Sequence, residues 1–248
     1  MLDKNIWNKS KQAVLDTFFP AYCLSCNKPD CWLCDNCLNQ ISLKNNHLCP
    51  LCKKKFTPAG KTCFSCQQNP LIDGVLISSF YKKNNQKTLL ANLIHYYKYR
   101  FLIELKNPLG EVMRKAFLKS DLELPDFVIP VPLHPRRLRW RNFNQSELLA
   151  EYLSKNLTPG FHLKILTNVL IRKKYTLPQA KTKNRRQRIE NLKKVFAINK
   201  NFKTSLIQNK NILLVDDVIT TGTTLFECAK ILKKNKVKKV YALVLARQ

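Results

Sequence analysis

The sequence predicts an α/β chain in two parts: a parallel sheet flanked by helices over residues 71–248, preceded by a small cysteine-rich domain over residues 1–70. Three observations carry that expectation. Nine of the ten cysteines fall between Cys23 and Cys66. From about residue 72 strand-like and helix-like segments alternate, the pattern of a parallel sheet with helices on both faces. Charge divides at the same place: residues 1–70 hold nine lysines, no arginine and four acids, a net of +5, leaving +23 of the chain's +28 to the remainder. A length of 248 residues suits one medium domain plus a small one.

The cysteines come first in chain order. They form four C-x-x-C knuckles: Cys23/Cys26, Cys34/Cys37, Cys49/Cys52 and Cys63/Cys66. A knuckle directs two thiolates at one point, and two knuckles complete a tetrahedral site, so four imply two zinc ions. Sequential pairing keeps each loop short, giving one set of Cys23, Cys26, Cys34 and Cys37 and another of Cys49, Cys52, Cys63 and Cys66. Cys31 also stands at knuckle spacing from Cys34 and is read as a spare thiol. Closed sites of this kind hold a fold together and do no chemistry. Disulfides fit badly with the cytoplasmic character of the rest of the chain. No run approaches the ~18–20 apolar residues of a membrane span. "AVLDTFFPAYCL", interrupted by Asp16 and Pro20, makes a poor secretory signal.

In the second part "VLISSFY" (75–81) has strand composition. "QKTLLANLIHYYKY" (86–99) places Leu89, Leu90, Leu93, Ile94 and Tyr97 at helical spacing. "FVIPVPL" (127–133) reads as a buried strand halted by prolines, and "NQSELLAEYLSKNL" (144–157) as a helix opened by a capping Asn/Ser pair. "NILLVDDV" (211–218) is a strand, "TTLFECAKILKK" (223–234) a helix and "KVYALVLA" (239–246) the final strand. Parallel sheets bind ligands at the carboxyl ends of their strands, and Asp216 and Asp217 sit at such an end. The turn that follows offers Gly222 and the amides of residues 218–223 as an anion nest before a helix. Thr220, Thr221, Thr223 and Thr224 add hydroxyls. Two acids beside a phosphate nest suit a ribose 5′-phosphate, whose vicinal hydroxyls they can accept. The order of residues is not that of a Walker loop.

The segment "ILLVDDVITTGTTL" (212–225) resembles the phosphoribosyl-pyrophosphate (PRPP) binding motif of type I phosphoribosyltransferases. With "VPLHPRRLRWRNFNQSELLA" (131–150), "TLPQAKTKNRRQRIENLKKVF" (176–196) and the cysteine array, nearly the whole chain resembles the ComF family. Asn142 stands where that family usually shows glycine, and asparagine tolerates the positive φ such a position would need. The resemblance implies a type I phosphoribosyltransferase-like fold and a PRPP or ribose-phosphate site at Asp216, Asp217 and Thr220–Thr224. It also implies a role in DNA uptake during natural transformation or in use of external DNA, without indicating an acceptor substrate.

Arg136 and Arg137 are assigned to the pyrophosphate side of PRPP, since the planar guanidinium forks onto phosphate oxygens. Arg139 and Arg141, with Lys181, Arg185, Arg186 and Arg188, are assigned to nucleic acid. Residues 172–194 hold ten basic residues and one acid and read as a hood or loop, where Gln179, Arg188 and Asn191 match the family pattern. A surplus of this size attracts polyanions, although a lysine-rich solvated surface also accounts for much of it, the run Lys230–Lys239 included. Tyr96, Tyr97, Tyr99, Phe101, Trp140 and Phe143 suit either base stacking or packing. Two functions follow. One is a competence protein that handles single-stranded DNA together with helicase or recombination partners. The other is an active phosphoribosyltransferase, using PRPP and magnesium on an unknown acceptor. There Asp216 and Asp217 would stabilise charge on the ribose, with His134 or Glu147 as candidate base.

Overall fold

The computed structural model describes residues 21–68, 70–175 and 195–248. Lys181, Arg185, Arg186 and Arg188, with Gln179 and Asn191, lie outside the described residues. The chain divides into two compact units, Met1–Ser42 and Leu43–Gln248. In the first, the Cys23 knuckle is closed by Cys23 N–H to Lys28 O (2.8 Å) and Asn27 N–H to Cys23 O (2.9 Å). Asn27 and Asp30 make the bend with φ of 58° and 64°, a conformation short polar side chains tolerate. The short helix α1 (Asp35–Asn39) follows Cys34.

The second unit opens with the antiparallel pair β1 (His47–Leu48) and β2 (Phe56–Thr57), then β3 (Gly74–Phe80) and the small hairpin β4 (Lys82–Lys83) and β5 (Gln86–Lys87). Helices α2 (Leu89–Tyr99) and α3 (Lys106–Leu118) lead to β6 (Phe127–Pro130), α4 (Pro135–Arg141) and α5 (Gln145–Asn156). β7 (Lys164–Ile165), the hairpin β8 (Leu170–Arg172) and β9 (Phe196–Ile198), β10 (Asn211–Ile219), α6 (Thr223–Lys234) and β11 (Lys239–Arg247) complete it. Five strands form one parallel sheet in the order β3–β11–β10–β6–β7. β10 and β11 are almost wholly buried, as expected of parallel strands covered on both faces. Val75, Ile77, Ile129, Ile212, Leu214, Ala242 and Val244 share one core with Leu225, Cys228 and Leu232 of α6 and Leu170 and Phe196 of the β8–β9 hairpin. Alternate residues of each strand point to the opposite face, where α3 packs on β3 and α5 on β6 and β10.

The division at Ser42/Leu43 differs from the boundary near residue 70 expected from charge and composition. Segment 43–68 belongs with the sheet because it is bonded to β3. Lys44 N–H donates to Ser78 O (2.9 Å), and Thr62 Oγ1 to Ile72 O (2.8 Å). The buried His47 ring bonds Ile77 O through Nε2 (3.0 Å). Gly60, at φ 67°, approaches so closely that a Cβ there would lie 2.1 Å from Val75 O.

Sheet order also fixes where a ligand can enter. β6 leads outward to β7 and β10 outward to β11 on the other side, so the topological switch lies between the adjacent β6 and β10.

Close packing of α3 on α5 rests on Gly110, where a Cβ would meet the Tyr152 ring at 2.4 Å. Gly110→Ala is expected to destabilise by about 1–3 kcal/mol, lowering the thermal midpoint by roughly 2–4 °C per kcal/mol. A calorimetric melt checks this.

Candidate functional site

β10 outlasts its neighbour. Val215 pairs with Pro130, and Val131 N–H donates to Val215 O (2.9 Å). Pro132 then offers no donor and the ladder ends. Asp216 and Asp217 follow at once, beyond the reach of β6. Ser146 Oγ donates to Asp216 Oδ1 (2.9 Å), and Lys98 Nζ forms an ion pair with Asp217 Oδ1 (2.8 Å). Asn144 places Ser146: its Oδ1 accepts Ser146 N–H (3.2 Å) to cap α5, and its Nδ2 donates to Val131 O (3.1 Å). Lys98 is placed by α2, which buries Leu90, Leu93, Ile94 and Tyr97. Tyr97 OH locks that helix to α5 by donating to Gln145 O (3.1 Å). Burial pushes the Asp216 carboxyl up to about 7, the neighbouring Asp217 charge adds to the rise, and Lys98 and Ser146 oppose it.

The turn after β10 reverses at Gly222, whose φ of 89° sets it in the left-handed region at the N-cap of α6. A Cβ there would lie 2.9 Å from the Phe226 ring. Gly222, the N-cap of α6, has no side chain to cap with, and Thr221 Oγ1 accepts only the Thr223 N–H (3.4 Å), so the rest of the first turn presents backbone donors and the positive end of the helix dipole. The Thr221 and Thr223 hydroxyls bond each other (2.8 Å). A cavity of about 690 Å³ lies against these groups, lined by Asp216, Asp217, Thr220, Thr224, Arg136, Arg137, Arg141, Lys98, Arg172 and aromatic rings of Tyr99, Trp140 and Tyr175 among others.

Away from the cavity the cysteines gather as two sets. The Sγ atoms of Cys23, Cys26, Cys34 and Cys37 lie within 4.8 Å of one another, and so do those of Cys49, Cys52, Cys63 and Cys66. Cys23–Cys34 and Cys52–Cys63 are 3.8 Å apart and Cys26–Cys34 3.6 Å. Four thiolates ~2.3 Å from a tetrahedral ion stand about 3.8 Å apart, whereas a disulfide needs about 2.05 Å. Each set could hold a metal ion. The amides of Lys54 and Lys55 bring the Cys52 thiol down to about 6, favouring the thiolate. Cys31 is outside both sets, turned to Pro29 O (3.6 Å).

Residues 145–248 match the family model of the phosphoribosyl transferase domain. The chain is 34% identical to Competence protein F of Haemophilus influenzae over 224 residues, 87% of this chain and 90% of that one. It belongs to the ComF family. DNA utilization protein YhgH of Escherichia coli K12 is 30% identical over 92% of this chain and 97% of its own, and Competence protein ComFC of Bacillus subtilis 26% over 89% and 86%.

The residues assigned from sequence distribute unevenly in this ComF-family fold. Asp216, Asp217, Thr220, Thr224, Arg136 and Arg137 line the cavity, and Thr221, Gly222 and Thr223 form the turn beside it. Arg139 is exposed and is not among the lining residues. Arg141, grouped with Arg139 for nucleic acid, lines the cavity and donates to Gln145 Oε1 (2.8 Å). Helical spacing carried that signal, since residues 137 and 141 share a face of α4 that 139 does not. Asn142 ends α4 at φ 61°, the positive angle expected of it. His134 Nδ1 accepts Arg136 N–H (3.2 Å) as the cap of α4, and slight burial plus four arginines push its pKa down. Glu147 does not line the cavity, and burial pushes its pKa up. Sequence reasoning gave no role to Lys98, read Ser146 only as part of a helix cap, and placed Arg172 and Tyr175 in the hood segment without naming either as a site residue. Lys98 is the lone cation in an aromatic run closing α2, which is the nearest thing to a signal. Among the described residues no helix is long and apolar enough to cross a membrane.

The raised Asp216 pKa gives a stability prediction with a definite sign. Its folded value lies above the ordinary ~3.9, so native stability is lost as pH rises through about 7. Asp216→Asn is expected to raise the thermal midpoint more at pH 8 than at pH 5, measured by parallel melts of variant and wild type. An equal change at both would contradict the assignment.

Proposed function

We propose that this ComF-family chain binds PRPP or a related ribose 5-phosphate at the carboxyl ends of β6 and β10. Its basic surface holds single-stranded DNA during uptake or processing of external DNA, in the cytoplasm, with helicase or recombination proteins acting on the same strand. The observation that carries this is one cavity with three chemistries: two acids, the glycine-turned N-terminus of α6 and three arginines of α4. The acids suit ribose hydroxyls, the first turn of α6 suits a 5-phosphate, and Arg136, Arg137 and Arg141 suit a diphosphate. The names of the relatives, competence and DNA utilization, support the DNA part.

The residues fit magnesium carried in by the diphosphate rather than held by the acids, because Lys98 already pairs with Asp217 and Ser146 with Asp216. Magnesium there supplies charge neutralisation to the phosphates. His134 caps α4 and Glu147 lies outside the cavity, so neither side chain considered as base for a transferase is placed to act. Binding is therefore favoured over turnover. All-thiolate donor sets with sulfurs at tetrahedral spacing suit zinc, two ions per chain, in a structural role.

PRPP with magnesium at about one hundred times its Kd is expected to add about 2.7 kcal/mol to stability. Asp216→Asn with Asp217→Asn should remove that thermal shift and leave DNA binding intact. Absence of a shift in the wild type would overturn the PRPP reading. DNA affinity should fall at least tenfold, roughly, between about 50 and 200 mM salt, and a flat response would overturn the DNA reading. Elemental analysis should find two zinc ions per chain, falling to one in Cys52→Ser.

A further inference from the structure

Two of the rings lining the cavity stay largely in solvent: Trp140 is 58% exposed and Tyr99 48%. The Arg141 guanidinium lies 5.6 Å from each ring. It is steadied by Gln145, and its buried Nε has no hydrogen-bond partner among the described residues. Rings support Trp140 from the core outward. Phe143 packs on the fully buried Tyr97 at 5.8 Å, and Phe101 stands edge-on to Phe143 at 6.4 Å and to Trp140 at 5.2 Å. Phe101 holds its place with φ of 57°, a conformation unfavourable for a bulky side chain. Strain and an exposed tryptophan both work against stability. Together they hold two π-faces beside a fixed cation, at the entrance to a cavity built for phosphate. Bases of any identity stack on such faces, and the guanidinium between them takes the adjoining phosphate.

We propose that Tyr99, Arg141 and Trp140 form a base-stacking platform for single-stranded DNA at the entrance to the ribose-phosphate cavity, so that a bound strand and PRPP exclude each other. The inference rests on the reading of a PRPP cavity and a DNA-holding surface given above. A base on Trp140 directs the neighbouring phosphate to Arg141 and Arg137, which stand one helical turn apart on α4 and line the cavity that a diphosphate would fill. One strand phosphate and one diphosphate then compete for the same guanidinium groups. Tyr97 and Phe143, which the sequence left open as stacking residues, are buried and serve as support.

The test is fluorescence anisotropy of labelled oligothymidylate at fixed salt, with and without saturating PRPP and magnesium. Trp140→Ala and Tyr99→Ala should each weaken binding roughly tenfold, and Trp140→Phe should retain most of it. PRPP should weaken oligothymidylate binding by the wild type, and Asp216→Asn with Asp217→Asn should abolish that competition. Binding that ignores both the ring substitutions and PRPP overturns the platform while leaving the DNA-holding function standing. A wild type that does not bind oligothymidylate overturns both. Ring variants that weaken binding while PRPP has no effect overturn the shared site. Circular dichroism of each variant establishes that the losses come from a folded chain.

Discussion

The functional end of this molecule depends on a difference in length between two neighbouring strands. Pro132 stops the ladder of β6 just past Pro130 while β10 runs on to Ile219. The last residues of β10 therefore keep their ladder with β11 and lose it toward β6. That one-sided ending is the crevice. It leaves Asp216 and Asp217 without a strand on the β6 side and lets α5 reach Asp216 with Ser146 and α2 reach Asp217 with Lys98. The same interruption lets the chain turn into α4, whose Arg136, Arg137 and Arg141 line the same cavity as the acids.

Two carboxylates in such a place work against the fold. The Lys98–Asp217 pair is mostly withdrawn from water, with side-chain exposures of 18% and 13%. Pairs of that kind add little net stability, because the loss of hydration offsets the attraction. Their worth is organisational: α2, α5 and β10, distant in sequence, meet at one point through Lys98, Ser146 and the acids. In a chain of net charge +28, the acids are also a local brake on anions, so a phosphate is steered to the arginines and the α6 terminus while the hydroxyl side of a sugar finds acceptors.

What could be read from sequence was what depends on near neighbours. The apolar runs of β10 and β11, the acids directly after one of them, the glycine turn and the cysteine spacing all act over a few residues, and the structure has each of them. Asn142 belongs here as well: it stands where the family usually shows glycine, and its backbone is left-handed at φ 61°. What could not be read were pairings across long separations. Nothing local to Lys98 shows that it meets Asp217, and no compositional shift reveals that segment 43–68 is bonded along β3. Arg141 is an intermediate case: the sequence marked it as basic, but neither the helix over Pro135–Arg141 nor the lining of the cavity by one face of it was read there. Of residues 172–194, read as a hood or loop, Arg172 and Tyr175 line the cavity and 176–194 are outside the described residues.

β3 is the outermost strand of the sheet on its side, and its free flank is occupied by segment 43–68 through the bridges Leu43–Ser79 and Lys61–Gly74. The segment has little apolar core of its own and is folded around the second set of four cysteines. An open, apolar strand flank is a template for pairing with other chains, and folds survive by covering it. The segment folded around the second cysteine set thus covers that flank, and loosening it would bare the edge of β3. Edge-to-edge pairing through β3 is the failure that such a loss would open to the chain.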